Sequence, residues 1–277
     1  MTGMLAQICS LVSYGNEYLK TGAISGKYFP GNSVFSFCNT VDFKAVKKRF
    51  FTSGHKEILM AENPVNWFGV LKSQGCRGLR LIYMPSKSST DILWLADHKL
   101  AGFVGGGGAW LIETQYDDYL QYWANQWKVT DPNAPEGKVW SVNYSRILSE
   151  PQVDSPVFFV NQEKERLEKI LTEISAFSSG QNLEYWADIF LKAKAILQLD
   201  NPWKEYYYTD LIVNKNYPLA AQQTLFAAAS AWVFGGMGSW NDLGFHEQNA
   251  QLRYEQLSAQ LFAAINSSIL AVINEAA

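Results

Sequence analysis

Cysteine is scarce in this chain: there are three, Cys9, Cys38 and Cys76, far apart and odd in number. No Cys-x-x-Cys pair occurs, so neither the usual structural zinc spacing nor a thioredoxin-like redox pair is present. A sparse, odd set suits a reducing compartment better than a disulfide framework. Histidine is equally rare, with only His55, His98 and His246. His246-Glu247 opens like a zinc-protease helix, but Ala250 stands where the second ligand is needed. No Gly-x-Ser-x-Gly elbow appears; Gly22-Ala23-Ile24-Ser25-Gly26 comes closest and has the wrong spacing. No apolar run reaches the ~20 residues that span a bilayer. Residues 1–7 place no basic residue ahead of their apolar positions, as a signal peptide would. The net charge of −3 comes from interspersed charges, without a block of one sign. The one basic cluster, Lys44-Ala45-Val46-Lys47-Lys48-Arg49, is shorter than a nucleic-acid footprint and reads as a solvated face. These absences predict a cytoplasmic protein with no metal or cofactor that contacts neither nucleic acid nor membrane.

What is present describes an α+β protein. At 277 residues and 48% hydrophobic, the chain can bury a substantial core. Met4, Ile8, Leu11 and Val12 recur at helical spacing and predict an N-terminal helix ending near Tyr14-Gly15-Asn16. Strand patterns follow at residues 34–39, 79–83, 92–95, 110–114 and 139–144, with Pro85-Ser86-Lys87-Ser88-Ser89 as a hairpin loop. Residues 116–127 fit either a helical face or a strand, and their second half is read as a strand paired with residues 139–144. The N-terminal region, 1–155, is thus an antiparallel or mixed sheet with a few helices. After the Pro/Ser/Asp segment 151–156 the period changes to that of about four helices in 156–277. The first has Asn161 as a possible N-cap and Gly180 near its stop. The second runs from about Leu183 to Leu197 and is ended by Asn201-Pro202. The third starts at Pro218 and runs to about Phe234. The last carries Leu257, Leu261, Ile265, Ile269 and Ile273 in one stripe. That stripe could join two copies in a homo-oligomer, but packing on the chain's own helices is the favoured reading.

Two glycine-rich features stand out. Gly105, Gly106, Gly107 and Gly108 lack the Gly-Lys-Ser/Thr ending of a phosphate loop and lead into a strand, so a connection or a loop over a ligand remains. Between the third and last helices, residues 232–242 hold Gly235, Gly236 and Gly238 together with Trp232 and Trp240. A helix stop at Gly235 or Gly236 and a cap at Asn241 or Asp242 explain only part of that composition. The surplus points to a specific contact, internal or external.

Aromatic residues are plentiful: 10 Trp, 14 Tyr and 16 Phe exceed what strand and helix faces visibly require. Tyr and Trp bury large areas at low entropic cost and dominate binding hot spots. Tyr206, Tyr207 and Tyr208 cannot all point inward, so at least one is expected at the surface. Together with Trp123, Trp127, Trp240 and Asp242 they form the candidate partner-contacting set. No catalytic set is coherent: Asp97-His98 are adjacent and cannot face each other on a strand, and the carboxylates are dispersed.

An acidic α+β chain with sparse cysteines, surplus aromatics and no coherent catalytic set resembles, in general character, the immunity proteins with which bacteria neutralise polymorphic or contact-delivered toxins. The resemblance implies a non-enzymatic cytoplasmic protein whose partner is another protein, and it carries no residue role over. The alternative is a small-molecule binder or hydrolase with Gly105, Gly106, Gly107 and Gly108 as a lid and Asp242, Glu113 or His98 as polar groups of its pocket.

Overall fold

The computed structural model describes residues 1–48, 55–86, 97–102, 106–147 and 156–275. Six strands form one mixed sheet: β1 (Cys38–Lys48), β2 (His55–Ala61), β3 (Gly78–Met84), β4 (Ala109–Gln115), β5 (Leu120–Val129) and β6 (Trp140–Arg146), in the order β2-β1-β6-β5-β4-β3. Only the β1–β6 pair is parallel. The strand reading of the second half of 116–127 agrees with β5, in which Trp127 stands opposite Val142 and Val129 opposite Trp140. Strand 34–39 is corrected. Ser33–Phe35 form a 3-10 turn because Asn32 Oδ1 accepts the Val34 N–H at 3.1 Å and the Asp210 carboxylate accepts the Ser33 N–H at 3.0 Å. The expected strand 92–95, most of the loop before it, Arg49, Gly105 and nearly all of segment 151–156 lie outside the described residues.

The alternation of β6 shows how one face of the sheet becomes core. Trp140, Val142 and Tyr144 point one way, joining Phe43, Trp123, Ile112, Leu79 and Leu81. Trp67 stacks on Phe43 at 4.2 Å and 11°, and Phe43 stacks on Tyr144 at 5.1 Å. Each such pair adds about 0.5–1.5 kcal/mol beyond burial of area. The opposite face carries a small cluster of Ile82, Leu111 and Tyr122, beside polar pairs such as Thr40–Ser141.

Helix α1 (Gly3–Thr21) and helix α2 (Pro64–Ser73) cover the core face. The expected stop of α1 near Gly15 is corrected: the helix continues to Gly22, whose φ of 79° gives the left-handed cap. Gly15 lies inside the helix because a Cβ there would sit 3.0 Å from both Leu79 and Phe68. Close packing overrides the ~1 kcal/mol helical cost of glycine. One turn further along, Glu17 accepts hydrogen bonds from Lys215 Nζ at 2.7 Å and Asn216 Nδ2 at 2.9 Å. These bonds hold its carboxyl below the usual range. A lowered folded value means that the contribution is present above the unfolded carboxyl value of ~4.3 and is lost as pH falls through the folded one. Glu17→Gln is therefore expected to lose about 1 kcal/mol at neutral pH, with the difference from wild type vanishing near pH 3 in urea titrations.

Short helix α3 (Asp97–Leu100) lies between β3 and β4 in the chain; α4 (Val160–Gly180), α5 (Glu184–Ile196), α6 (Leu219–Ser230) and α7 (Gln248–Glu275) form the helical half. Asn161 is not the N-cap of α4; Phe159 is, without a side-chain bond. Helix α6 ends at Ser230, short of Phe234. The Trp232 indole donates to the Phe234 carbonyl at 2.8 Å, holding residues 232–234 outside helical geometry. The stripe Leu257, Leu261, Ile265, Ile269 and Ile273 is fully buried, consumed within the chain. By length and composition alone α7 could cross a bilayer, yet 83% of its apolar window is buried inside the fold. One hydrophobic cluster runs continuously from the sheet through α1 into α4, α5, α6 and α7.

Edge strand β3 is closed in an unusual way. Asn16 of α1 donates from Nδ2 to the Leu79 carbonyl at 2.9 Å and accepts the Leu79 N–H at 2.8 Å. Asn274 of α7 repeats the arrangement at Leu81, with bonds of 2.9 and 2.7 Å. Two side-chain amides thus stand where a neighbouring strand's peptide groups would be, and the edge is blunted against other chains. Both the sheet-covering helix and the last helix are fixed to the same strand.

Candidate functional site

The glycine- and tryptophan-rich stretch 232–242 is anchored at both ends. Trp240 is fully buried; its ring meets Phe190 at 5.2 Å, Trp186 at 5.5 Å and Tyr254 at 5.2 Å. Its indole N–H donates to Ser258 Oγ at 2.7 Å, and its carbonyl accepts the Tyr254 hydroxyl at 2.6 Å. As a surface contact Trp240 is therefore corrected to a core residue. The helix stop expected at Gly235 or Gly236 falls instead at Ala231. Asn241 and Asp242 do not cap α7: Ser239 caps the short turn Trp240–Asp242, the Asp242 carboxylate accepts the Gly238 N–H, and Asn241 Nδ2 donates to the His98 carbonyl at 2.9 Å.

Gly235 has a different role. A Cβ on Gly102, just after α3, would lie 1.9 Å from the Gly235 carbonyl oxygen, so backbone meets backbone there with no room for a methyl group. Gly106 and Gly107 pack on Leu100 and Ala101, and Gly108 packs on the Tyr83 ring. The Tyr83 hydroxyl lies 2.7 Å from Asp97 Oδ2 and 2.9 Å from the Gly107 carbonyl oxygen. The described part of the tetraglycine run is thus packed support for α3, and α3 supports the turn. Gly102→Ala is expected to cost about 3 kcal/mol, measured by chemical denaturation, because neither backbone can yield without moving α3.

Beside the turn runs an open groove of about 440 Å³, lined by Met1, Thr2, Tyr185, Trp186, Ile189, Ser230, Trp232, Val233, Phe234, Gly235 and Ser239. Three elements build it. The start of α1 supplies Met1, whose amine donates to the Ala229 carbonyl at 2.7 Å and to the Tyr206 hydroxyl at 3.1 Å. The first turns of α5 supply Tyr185 and Trp186, with rings 5.1 Å apart. The exit from α6 supplies Trp232, Val233 and Phe234. Phe234 is braced from behind by Phe262 at 5.1 Å and by His98 at 6.1 Å. No carboxylate, lysine, arginine or histidine side chain lines the groove. Tyr185 is 71% exposed on its rim, and Tyr207, whose hydroxyl donates to the Met1 carbonyl at 3.4 Å, is 64% exposed beside it.

Of the residues singled out in the sequence, the structure brings the tyrosine run and the turn to this one region. Tyr207 is the exposed tyrosine, Tyr206 is buried and Tyr208 is half-buried. Asp242 is exposed on the turn. Trp123 is fully buried under the sheet, and Trp127 packs edge-on to Trp140 at 5.8 Å, so neither belongs to the groove. Glu113, His98 and Asp242 are not gathered either. Glu113 is buried with Arg80 at 3.8 Å and Gln115 at 2.8 Å, His98 is buried behind Phe234, and none of the three lines the groove. Sequence reasoning missed Tyr185 and placed Trp186 on a core face. Their one signal was two adjacent aromatics in the first turn of a helix, where only one can face inward.

Burial also disarms the nucleophiles: the thiols of Cys38 and Cys76 are pushed up to about 11, and that of Cys9 higher still. Among the described residues no group of three or more His, Cys, Asp or Glu side chains is placed to hold a metal ion. Comparison with family models, with curated proteins and with solved structures finds no match. The fold and the groove together describe an α+β protein whose most developed surface feature is aromatic and uncharged.

Proposed function

We propose that this chain is a non-enzymatic protein-binding protein that acts in the cytoplasm through the aromatic groove. One observation supports this above the rest: half-exposed Trp186 and Trp232 and exposed Tyr185 wall a groove with no ionisable side chain in it. Such walls bury area against an apolar partner segment and offer nothing for acid–base or nucleophilic chemistry. Neutralisation of a toxin, the role implied by the general resemblance to immunity proteins, is the form of this function we favour, because blocking a partner requires a surface and no reaction. The three cysteines, all free thiols, fit a reducing compartment.

The test is recovery of a stoichiometric complex from the native cells with tagged wild-type chain. Tyr185→Glu, at an exposed rim position, is expected to weaken that complex by about 30-fold, the equivalent of ~2 kcal/mol for a hot-spot residue. A complex indifferent to Tyr185→Glu would place the contact elsewhere and overturn the groove reading.

A further inference from the structure

Met237 is 101% exposed, the most exposed of the large apolar side chains among the described residues. It stands at the tip of the turn whose base is held by Trp240 and by the Gly102–Gly235 contact. Gly236 and Gly238 flank it, and Gly238 takes a φ of 82°, a conformation open to glycine at no steric cost. The tip is also tied down locally. The Ser239 hydroxyl donates to the Gly235 carbonyl at 3.0 Å, the Ser239 N–H donates to the Gly236 carbonyl at 3.1 Å, and Asp242 accepts from Gly238. An apolar knob is therefore presented on a braced turn.

The groove begins at the base of that same turn, with Gly235 and Ser239 in its wall. Fully exposed, Met237 does not enter the groove of its own chain. Knob and groove are neighbours on one face, and a two-fold axis beside the turn brings each knob to the other copy's groove. Self-complementarity of one patch is what an isologous dimer requires. The chemistry matches as well. A thioether finds favourable contacts with aromatic rings such as Trp186 and Trp232, and the uncharged lining imposes no desolvated charge on it. We infer that the occupant of the groove in the isolated protein is Met237 of a second copy, closing a two-fold symmetric dimer. The other dimer route read from the sequence, the Leu257–Ile273 stripe, is buried and cannot serve.

This inference goes beyond the binding of a different protein and does not depend on it, since it is read on the purified chain alone. The face is small beside the ~800 Å² per partner of a standard interface, so the dimer is expected to be weak, half-dissociated at roughly micromolar concentration. Sedimentation equilibrium of wild type across concentrations bracketing that value should show mass rising towards twice the 31.2 kDa of one chain. Met237→Asp, at a position that touches nothing, leaves the fold intact and should weaken association by about 30-fold or more. Met237→Leu keeps the knob apolar and should stay within a few-fold of wild type. Wild type that remains monomeric throughout overturns the inference. So does a dimer unchanged by Met237→Asp, which would locate the contact on another face such as the β2 edge. Loss of the dimer with a foreign complex still formed would overturn this inference alone and leave the proposed function standing.

Discussion

Trp240→Ala is expected to remove about 3–5 kcal/mol of unfolding free energy, the range for truncating a large buried aromatic. Three rings lie between 5.2 and 5.5 Å from the Trp240 ring, coming from two different helices, so the void left behind cannot be closed by one local shift. Ser258 also loses the indole donor at 2.7 Å. The loss is large against the ~5–15 kcal/mol by which domains are stable, so the variant should show a much lower urea midpoint and a part-unfolded population at 37 °C. Trp240→Phe retains most of the ring packing and should lose about half as much. A Trp240→Ala midpoint within experimental scatter of wild type would mean that the turn is not anchored as described.

The second large effect concerns the two asparagines on β3. Removing the Asn274 amide leaves the N–H and C=O of Leu81 without partners, and each unsatisfied group costs about 1–3 kcal/mol where water cannot reach it fully. Asn274→Ala and Asn16→Ala are each expected to lose about 2 kcal/mol. The double variant should lose about 4 kcal/mol, with a deviation from additivity because both act on one strand two residues apart. Equilibrium unfolding in urea reads both. The double variant frees the edge as well, so light scattering should detect association that neither wild type nor Gln126→Ala shows. Asn274→Asp separates donor from acceptor: it keeps the bond from the Leu81 N–H and loses the one to its carbonyl.

These two sites also show why the sequence speaks clearly in some places and not in others. The sheet was legible where burial has a period. Val142 and Tyr144 alternate with Ser141 and Asn143, and the structure puts the first pair in the core. The helices α4, α5, α6 and α7 were legible for the same reason at a period of 3.6. What failed depends on contacts distant in the chain. Gly15 looked like a helix stop because its reason for being glycine lies on Leu79 and Phe68. Ser33 looked like the approach to a strand because its partner is Asp210. Asn16 and Asn274 carry no local pattern at all; a lone asparagine in a helix reads the same whether it faces water or a strand edge. The candidate site follows this rule. Tyr207 was found because three consecutive tyrosines cannot all turn inward. Tyr185, Trp232 and Met1 form one groove only after three elements fold together, and no spacing in the chain foretells it. The surplus of glycine and tryptophan in residues 232–242 did mark a specific contact. Its greater part is internal, joining the turn to α3 and α5, and only the tip at Met237 faces outward.

The central claim is that the uncharged aromatic groove is the surface through which this chain meets another protein. A photoreactive phenylalanine analogue placed at position 185, on the groove rim, and in a separate variant at position 126, on the open face of the sheet, tests it most directly in the native cells. The account predicts one foreign protein cross-linked in stoichiometric yield from position 185 and none from position 126. Cross-links to that protein from position 126, with none from 185, would contradict it.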